Sequence, residues 1–119
     1  MKYFLAVDIG ASSGRHMLTH MEEDRMVLEE VHRFYNGMTE KNGHKIWRAR
    51  RLFEEIKIGM KKCASLGKIP ESMGIDTWAV DFVLLDKNGG RIGDAVAYRD
   101  ARTTGMDEGM PDCRREAYC

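Results

Sequence analysis

The first third of the chain alternates in a way that predicts extended structure. Residues 3–9, Tyr-Phe-Leu-Ala-Val-Asp-Ile, form a short apolar run rich in aromatic and branched side chains, closed by Gly10. A run of this length bounded by a turn residue predicts a buried strand. Residues 10–14, Gly-Ala-Ser-Ser-Gly, are small and polar and predict a tight turn. Residues 15–20 alternate around Met17 and Thr19 and predict a second strand. Residues 21–25, Met-Glu-Glu-Asp-Arg, read as a charged turn. Residues 26–35 alternate untidily, but their branched and aromatic content favours a third strand. The three together predict an antiparallel meander. Residues 36–43 carry two Gly and two Asn and read as a loop.

From Ala49 the period changes. Ala49, Leu52, Phe53, Ile56, Met60, Cys63 and Ala64 recur at spacings of three and four, which predicts an amphipathic helix. Gly67 stops it, Lys61 and Lys62 suit its last turn, and Pro70 lies beyond its end. Arg48 stands where Ser or Asp would cap the start. Residues 72–78 read as a buried strand and residues 80–86 as another. Residues 87–90, Lys-Asn-Gly-Gly, supply turn chemistry, and residues 95–98 a short extended run. After Arg99 the pattern fails. A meander followed by a helical crossover to a further strand predicts an α/β fold with a mixed sheet, not a doubly wound parallel one.

Composition narrows the function classes. At 119 residues the chain has the length of one average domain and needs neither disulfides nor metal for a core. Hydrophobic residues make up 43% and charged residues 32%, the balance of a soluble globular protein. Nineteen basic residues balance nineteen acidic ones, which argues against a nucleic-acid or anionic-membrane partner. Apolar runs are too short for a transmembrane helix. The start resembles a signal peptide only superficially, because Asp8 interrupts it and no cleavage site follows. Cys63, Cys113 and Cys119 form neither a disulfide framework nor a zinc site, which points to a reducing, cytoplasmic compartment.

Three clusters could carry chemistry. In the first, Gly10 and Gly14 permit a turn whose backbone N–H groups face a phosphate. Ser12 and Ser13 add hydroxyls, Arg15 adds a cation for a phosphoryl group, and Asp8 at the strand end could hold Mg²⁺. An ordinary glycine-rich turn with a solvated Asp fits the same residues. The segment is neither a Walker A motif nor a dinucleotide fingerprint. In the second cluster, Asp76, Thr77 and Asp81 interrupt an apolar stretch, and Trp78 offers a flat face suited to a sugar ring. A strand junction with Asp caps is the plainer reading. The third, residues 98–102, could hydrogen-bond a polyol or form a surface salt-bridge network. The four histidines show no ligand spacing, the nine methionines suggest adaptable packing, and Trp47 reads as a core anchor.

The clusters resemble the FGGY carbohydrate kinases, within them the bacterial rhamnulokinases. Val-Asp-Ile-Gly-Ala-Ser-Ser-Gly-Arg (7–15) is similar to their first phosphate motif. His-Arg-Phe-Tyr-Asn-Gly (32–37), Gly-Ile-Asp-Thr-Trp-Ala-Val-Asp-Phe-Val-Leu-Leu-Asp (74–86) and Ala-Tyr-Arg-Asp-Ala-Arg-Thr (97–103) follow in the same order. The resemblance implies an RNase H-like (actin-like ATPase) N-terminal lobe, incomplete here, over residues 1–105. It implies phosphorylation of the 1-hydroxyl of L-rhamnulose by ATP with Mg²⁺. Ala11, Ser12, Ser13, Gly14 and Arg15 would contact the nucleotide phosphates, and Asp8 would belong to the metal. Asp76, Trp78, Ala79 and Asp81 would form the sugar wall, with Ala79 where these kinases usually carry Gly. Their catalytic base and adenosine pocket have no counterpart among these residues. Residues 106–119 depart from the pattern, as a shifted frame or truncated gene would. Two other classes stay open: an inactive fragment, and a regulator of sugar-kinase ancestry, against which weigh the missing DNA-binding helices and the neutral charge.

Overall fold

The computed structural model describes residues 1–109. β1 (Tyr3–Ile9), β2 (Ser13–Glu22) and β3 (Arg25–Tyr35) form the expected antiparallel meander. β1 puts Leu5, Val7 and Ile9 on its buried face and leaves Phe4 and Ala6 on the other. That period of two explains why so short a run commits to a strand. The connection from β1 to β2 is shorter than residues 10–14. Gly10, Ala11 and Ser12 turn, whereas Ser13 and Gly14 already pair with Tyr35 and Phe34. The expected charged turn at 21–25 shrinks likewise to Glu23 and Asp24, with Glu23 at a φ of 53°. A register shift between His16 and Met17 marks a bulge on β3.

Residues 36–43 are not a plain loop. β4 (Thr39–Lys41) and β5 (His44–Trp47) pair antiparallel around Asn42-Gly43, with φ angles of 52° and 79°. Two positive φ values are what a two-residue hairpin turn demands, and Asn-Gly supplies them. β5 then leads into α1 (Ala49–Ser65), which starts at Arg48 with no side-chain cap. Its end is well made. Gly67, at a φ of 70°, donates to Ala64 O at 2.9 Å, and Lys68 N donates to Cys63 O at 3.1 Å. This pair of bonds is a Schellman stop.

α1 lies on the face of the sheet that carries Leu5, Val7, Ile9, Leu18 and Phe34. Leu52, Ile56, Gly59 and Cys63 meet the sheet, but Phe53 and Met60, expected on the same face, are exposed. Gly59 is required where it stands: a Cβ there would run into the His16 ring. His16 is wholly buried and donates from Nε2 to Ile56 O at 3.1 Å. Its Nδ1 then has no partner among the described residues. Burial pushes the His16 pKa down, since the cation would be desolvated with nothing to receive its second proton. The histidines are less scattered than their spacing suggests. His32 stands beside His16, donates to Glu55 at 2.6 Å and accepts from Lys62 at 2.8 Å.

β6 (Pro70–Thr77) follows α1 and pairs parallel with β1, giving the mixed sheet order β3-β2-β1-β6. The crossover is as expected, but the burial is not. β6 is exposed along nearly its whole length, because it is an edge strand that α1 does not reach. The strand expected over residues 80–86 is also corrected. Only β7 (Leu84–Leu85) is extended, paired with β8 (Arg91–Ile92) across the predicted Lys-Asn-Gly-Gly turn. The apolar run at 80–86 has no long neighbour to pair with. β9 (Ala95–Val96) joins β5 and β4 in a second small sheet, and a second cluster forms from Trp47, Ala95 and Ala97. A 3-10 turn (Ala101–Thr103) and α2 (Met106–Gly109) complete the described residues. Cys113, Cys119 and most of the expected divergent tail lie outside them. Among the described residues no helix is long and apolar enough to cross a membrane.

Candidate functional site

The site is built on the ends of two parallel strands. Asp8 near the end of β1 is the register partner of Asp76 near the end of β6. Parallel partners share a face, so both carboxylates sit at one edge of one face of the sheet. Directly after Asp8 comes the turn at residues 10–12. Directly after Asp76 come Thr77, Trp78, Ala79 and Asp81. This is the edge at which α/β sheets bind ligands.

The turn is held from three directions. Gly10 N donates to Ser13 O at 2.9 Å, closing it internally. Asn36, buried at the end of β3, donates from Nδ2 to Gly10 O at 2.9 Å and from its backbone N to Ser12 O at 2.9 Å. Its Oδ1 accepts from Gly37 N at 2.9 Å, so the side chain is satisfied on both ends. Gly14 stands under the turn because a Cβ there would enter the Phe34 ring. Arg15, beside Asp8 on β2, donates to Asp8 Oδ2 at 3.3 Å and to Ser13 Oγ at 3.0 Å. Its Nε has no partner among the described residues. The turn, the hydroxyls and the two charges are thus contiguous.

The opposite wall depends on one carboxylate. Trp47 and Trp78 pack with ring centroids 4.2 Å apart, and both indole Nε1–H groups donate to Asp81 Oδ2 at 2.6 Å. Asp81 therefore locks Trp78 rather than standing free, and Trp47 is more than a core anchor. Between them Ala79 is exposed, and Val80 holds a φ of 70° with 78% of its surface exposed. A β-branched residue in the left-handed region is strained. A cavity of about 250 Å³ opens here, bounded by Trp47, Trp78, Asp81 and Phe82.

The third cluster is not the surface salt-bridge network expected. Asp100 is buried and accepts from Lys45 N at 2.8 Å, His44 Nδ1 at 3.0 Å and Arg102 N at 3.3 Å. The Lys45 amide above all, then His44, lowers its pKa to about 2. Asp100 pins the small sheet to the segment that follows it.

Comparison with known proteins places these residues in context. Over 108 residues, 91% of its length, the chain is 56% identical to a rhamnulokinase of Halalkalibacterium halodurans. It is 53% identical over 104 residues to a rhamnulokinase of Oceanobacillus iheyensis. Over about nine-tenths of its own length the chain is thus similar to these rhamnulokinases. It spans 23% and 22% of the length of those two rhamnulokinases. No family model matches the chain. A ligand-bound xylulose kinase from Lactobacillus acidophilus superposes with a TM-score of 0.73 at 12% identity, over 94% of this chain and 23% of the other. At that identity the likeness speaks for the fold alone: part of the actin-like ATPase fold of sugar kinases.

Within this segment, Asp8, Ala11, Ser12, Ser13, Gly14 and Arg15 come together, and Asp76 joins them through the register of β1 and β6. Trp78, Ala79 and Asp81 follow on the same edge. Sequence reasoning missed Asn36 as the clamp of the turn and Trp47 as the second donor to Asp81. Asn36 lay inside a matching motif, His-Arg-Phe-Tyr-Asn-Gly, but nothing local signalled a partner 26 residues away.

Proposed function

We propose that the protein of which these residues form a part transfers a phosphoryl group from ATP to the 1-hydroxyl of L-rhamnulose. The observation that carries the reading is the side-by-side placement of Asp8 and Asp76, each leading into one of the two clusters. The 56% identity to a rhamnulokinase supports the sugar. In this reading Ala11, Ser12, Ser13, Gly14 and Arg15 receive nucleotide phosphates. Asp76, Trp78, Ala79 and Asp81 wall the sugar. Residues 1–105 act as a partial N-terminal lobe, and none of them is assigned the role of catalytic base. An ATP-dependent reaction on a sugar suits a cytoplasmic setting.

Two neighbouring carboxylates fit Mg²⁺, which binds through one or two carboxylates plus substrate phosphates and keeps several waters. Asp8 would hold it, with Asp76 beside it at the sugar side. When bound, it neutralises charge on the phosphoryl group in flight. Arg15 keeps the Asp8 carboxylate oriented through its 3.3 Å contact, and Asn36 holds the turn in place without rearrangement. The Trp78 face, fixed by Asp81, would orient the sugar ring and exclude water beside it.

The test is a chimera in which residues 1–105 replace the segment they match in the H. halodurans rhamnulokinase. It is expected to form ADP dependent on L-rhamnulose at about 1 s⁻¹ or faster. Stimulation by xylulose or glycerol but not L-rhamnulose would overturn the choice of sugar. The 119 residues alone are expected to turn over neither, since they span under a quarter of those relatives' length.

A further inference from the structure

In the third cluster the Arg99 side chain forms no ion pair among the described residues. Arg99 lies between Ala97 and Asp100, both tied to β5: Ala97 N donates to Lys45 O at 2.8 Å and Asp100 accepts from Lys45 N at 2.8 Å. The backbone on either side of Arg99 is therefore fixed. Its side chain is exposed and reaches only the neighbouring Tyr98 hydroxyl at 3.2 Å. It lines a cavity of about 280 Å³ together with Ala11, Ser12, Asn36 and Gly37. No carboxylate lines that cavity. Arg15 does not line it either, being turned to Asp8 and Ser13. The Ala11 and Ser12 N–H groups find no acceptor among the described residues.

We infer that Arg99 is the cation of a phosphate-oxyanion site whose other wall is the Ala11–Ser12 backbone. The inference rests on the phosphate reading of the turn and deepens it. Two unpaired amides and a guanidinium held only by the neighbouring Tyr98 hydroxyl, at a cavity without acidic groups, favour a phosphate oxygen, because no carboxylate competes for these donors. The clamp by Asn36 keeps the amides in place, and the Asp100 anchor keeps the guanidinium within reach. A terminal phosphate of ATP and the phosphate of a phosphorylated sugar share this chemistry.

The full 119-residue chain, labelled with ¹⁵N, is titrated separately with inorganic phosphate, ATP, L-rhamnulose 1-phosphate and L-rhamnulose. The amide resonances of Ala11, Ser12 and Gly37 are expected to move with the three phosphates. Of ATP and the sugar phosphate, the one that binds more tightly identifies the source. Arg99→Gln should weaken phosphate binding at least fivefold and Arg99→Lys should recover part of it, with spectral dispersion preserved in both. No response of the wild-type amides to any phosphate removes the phosphate reading of the turn itself. A wild-type response that Arg99→Gln leaves unchanged removes Arg99 alone. A response to L-rhamnulose and not to phosphate makes the cavity a polyol site and overturns the inference.

Discussion

The turn at residues 10–12 and the wall at residues 76–83 follow neighbouring parallel strands, yet they are held in opposite ways. The turn is tied by one backbone bond to Ser13 and by two bonds from Asn36, over a strand packed against α1. The wall follows an exposed edge strand and is held to Trp47 by the packing of Trp78 and by the Asp81 carboxylate they share, with Val80 strained beside it. A phosphate cradle gains from rigidity, because its donors must already point at the charge. The proposed sugar wall presents a flat ring, which side-chain packing and one shared carboxylate suffice to aim.

Several substitutions would break or sharpen that contrast. The largest effect is expected for Asp8→Asn in the chimera: a fall in kcat/KM of about 100-fold, the scale of losing one preorganised charge-stabilising group. Its pair with Arg15 is partly exposed and worth about 0–1 kcal/mol, so the melting temperature should shift by less than about 4 °C. Normal turnover with a larger thermal loss would make Asp8 a structural cap.

Glycines test packing on the two sides. Gly14→Ala should destabilise by about 1–3 kcal/mol, because the Phe34 ring must give way. Gly74→Ala, with open space around its Cβ, should stay within about 0.5 kcal/mol of wild type. Equal losses in urea denaturation would mean that the wall side is as closely packed as the turn.

Two further changes should differ in sign. Asn36→Ala strips partners from Gly10 O and Gly37 N in a buried place and should cost about 1–3 kcal/mol. Val80→Gly should gain up to about 1 kcal/mol, left-handed strain released less the entropy of glycine. A destabilised Val80→Gly would show that the φ of 70° carries no strain.

The fold was legible where one face of an element is buried. Leu5, Val7 and Ile9 announce β1, and Leu52, Ile56 and Cys63 announce α1, because burial imposes the period. Phe53 and Met60 lie at the flank of that stripe, close to a quarter-turn from Leu52, and are exposed. Residues 80–86 have the composition of a strand, but a strand exists only with a partner, and Arg91-Ile92 supply just two residues of one. β4 and β5 are too short for periodicity, although Asn42-Gly43 carried the hairpin signal. At the site, Asp8 and the turn were legible from their local chemistry. The clamp by Asn36, the sharing of Asp81 and the capping role of Asp100 were not, because each joins segments at least 26 residues apart.

The smallest expected effect is that of pH. The folded-state pKa of His16 lies below its ordinary 6.5, so on acidification the unfolded chain takes up that proton first. The stability His16 contributes is therefore complete above about pH 6.5 and drains away below it. Asp100 adds a second loss, with its contribution whole above its ordinary 3.8 and gone as the pH falls through about 2. Urea midpoints should be level from pH 8 to 7 and decline from pH 6 to 5. A flat profile down to pH 5 would mean that His16 is accessible to protons in the folded state. The step belongs to the turn's side of the molecule, since His16 lies under the strand that leaves it.

The joint hold of Asp81 on two indoles has an optical consequence. Trp47 and Trp78 are the chain's two tryptophans, and their rings lie 4.2 Å apart at the proposed sugar wall. Every tryptophan photon the protein absorbs is absorbed there, and none near the turn. Rings this close should couple as one chromophore, with a circular dichroism couplet set by their mutual tilt of 38°. Asp81→Asn would alter that couplet by loosening the pair. A sugar settling against Trp78 would alter it too, whereas phosphate entering the turn would leave it unchanged. The protein thus carries an intrinsic reporter that separates occupancy of one half of its site from the other.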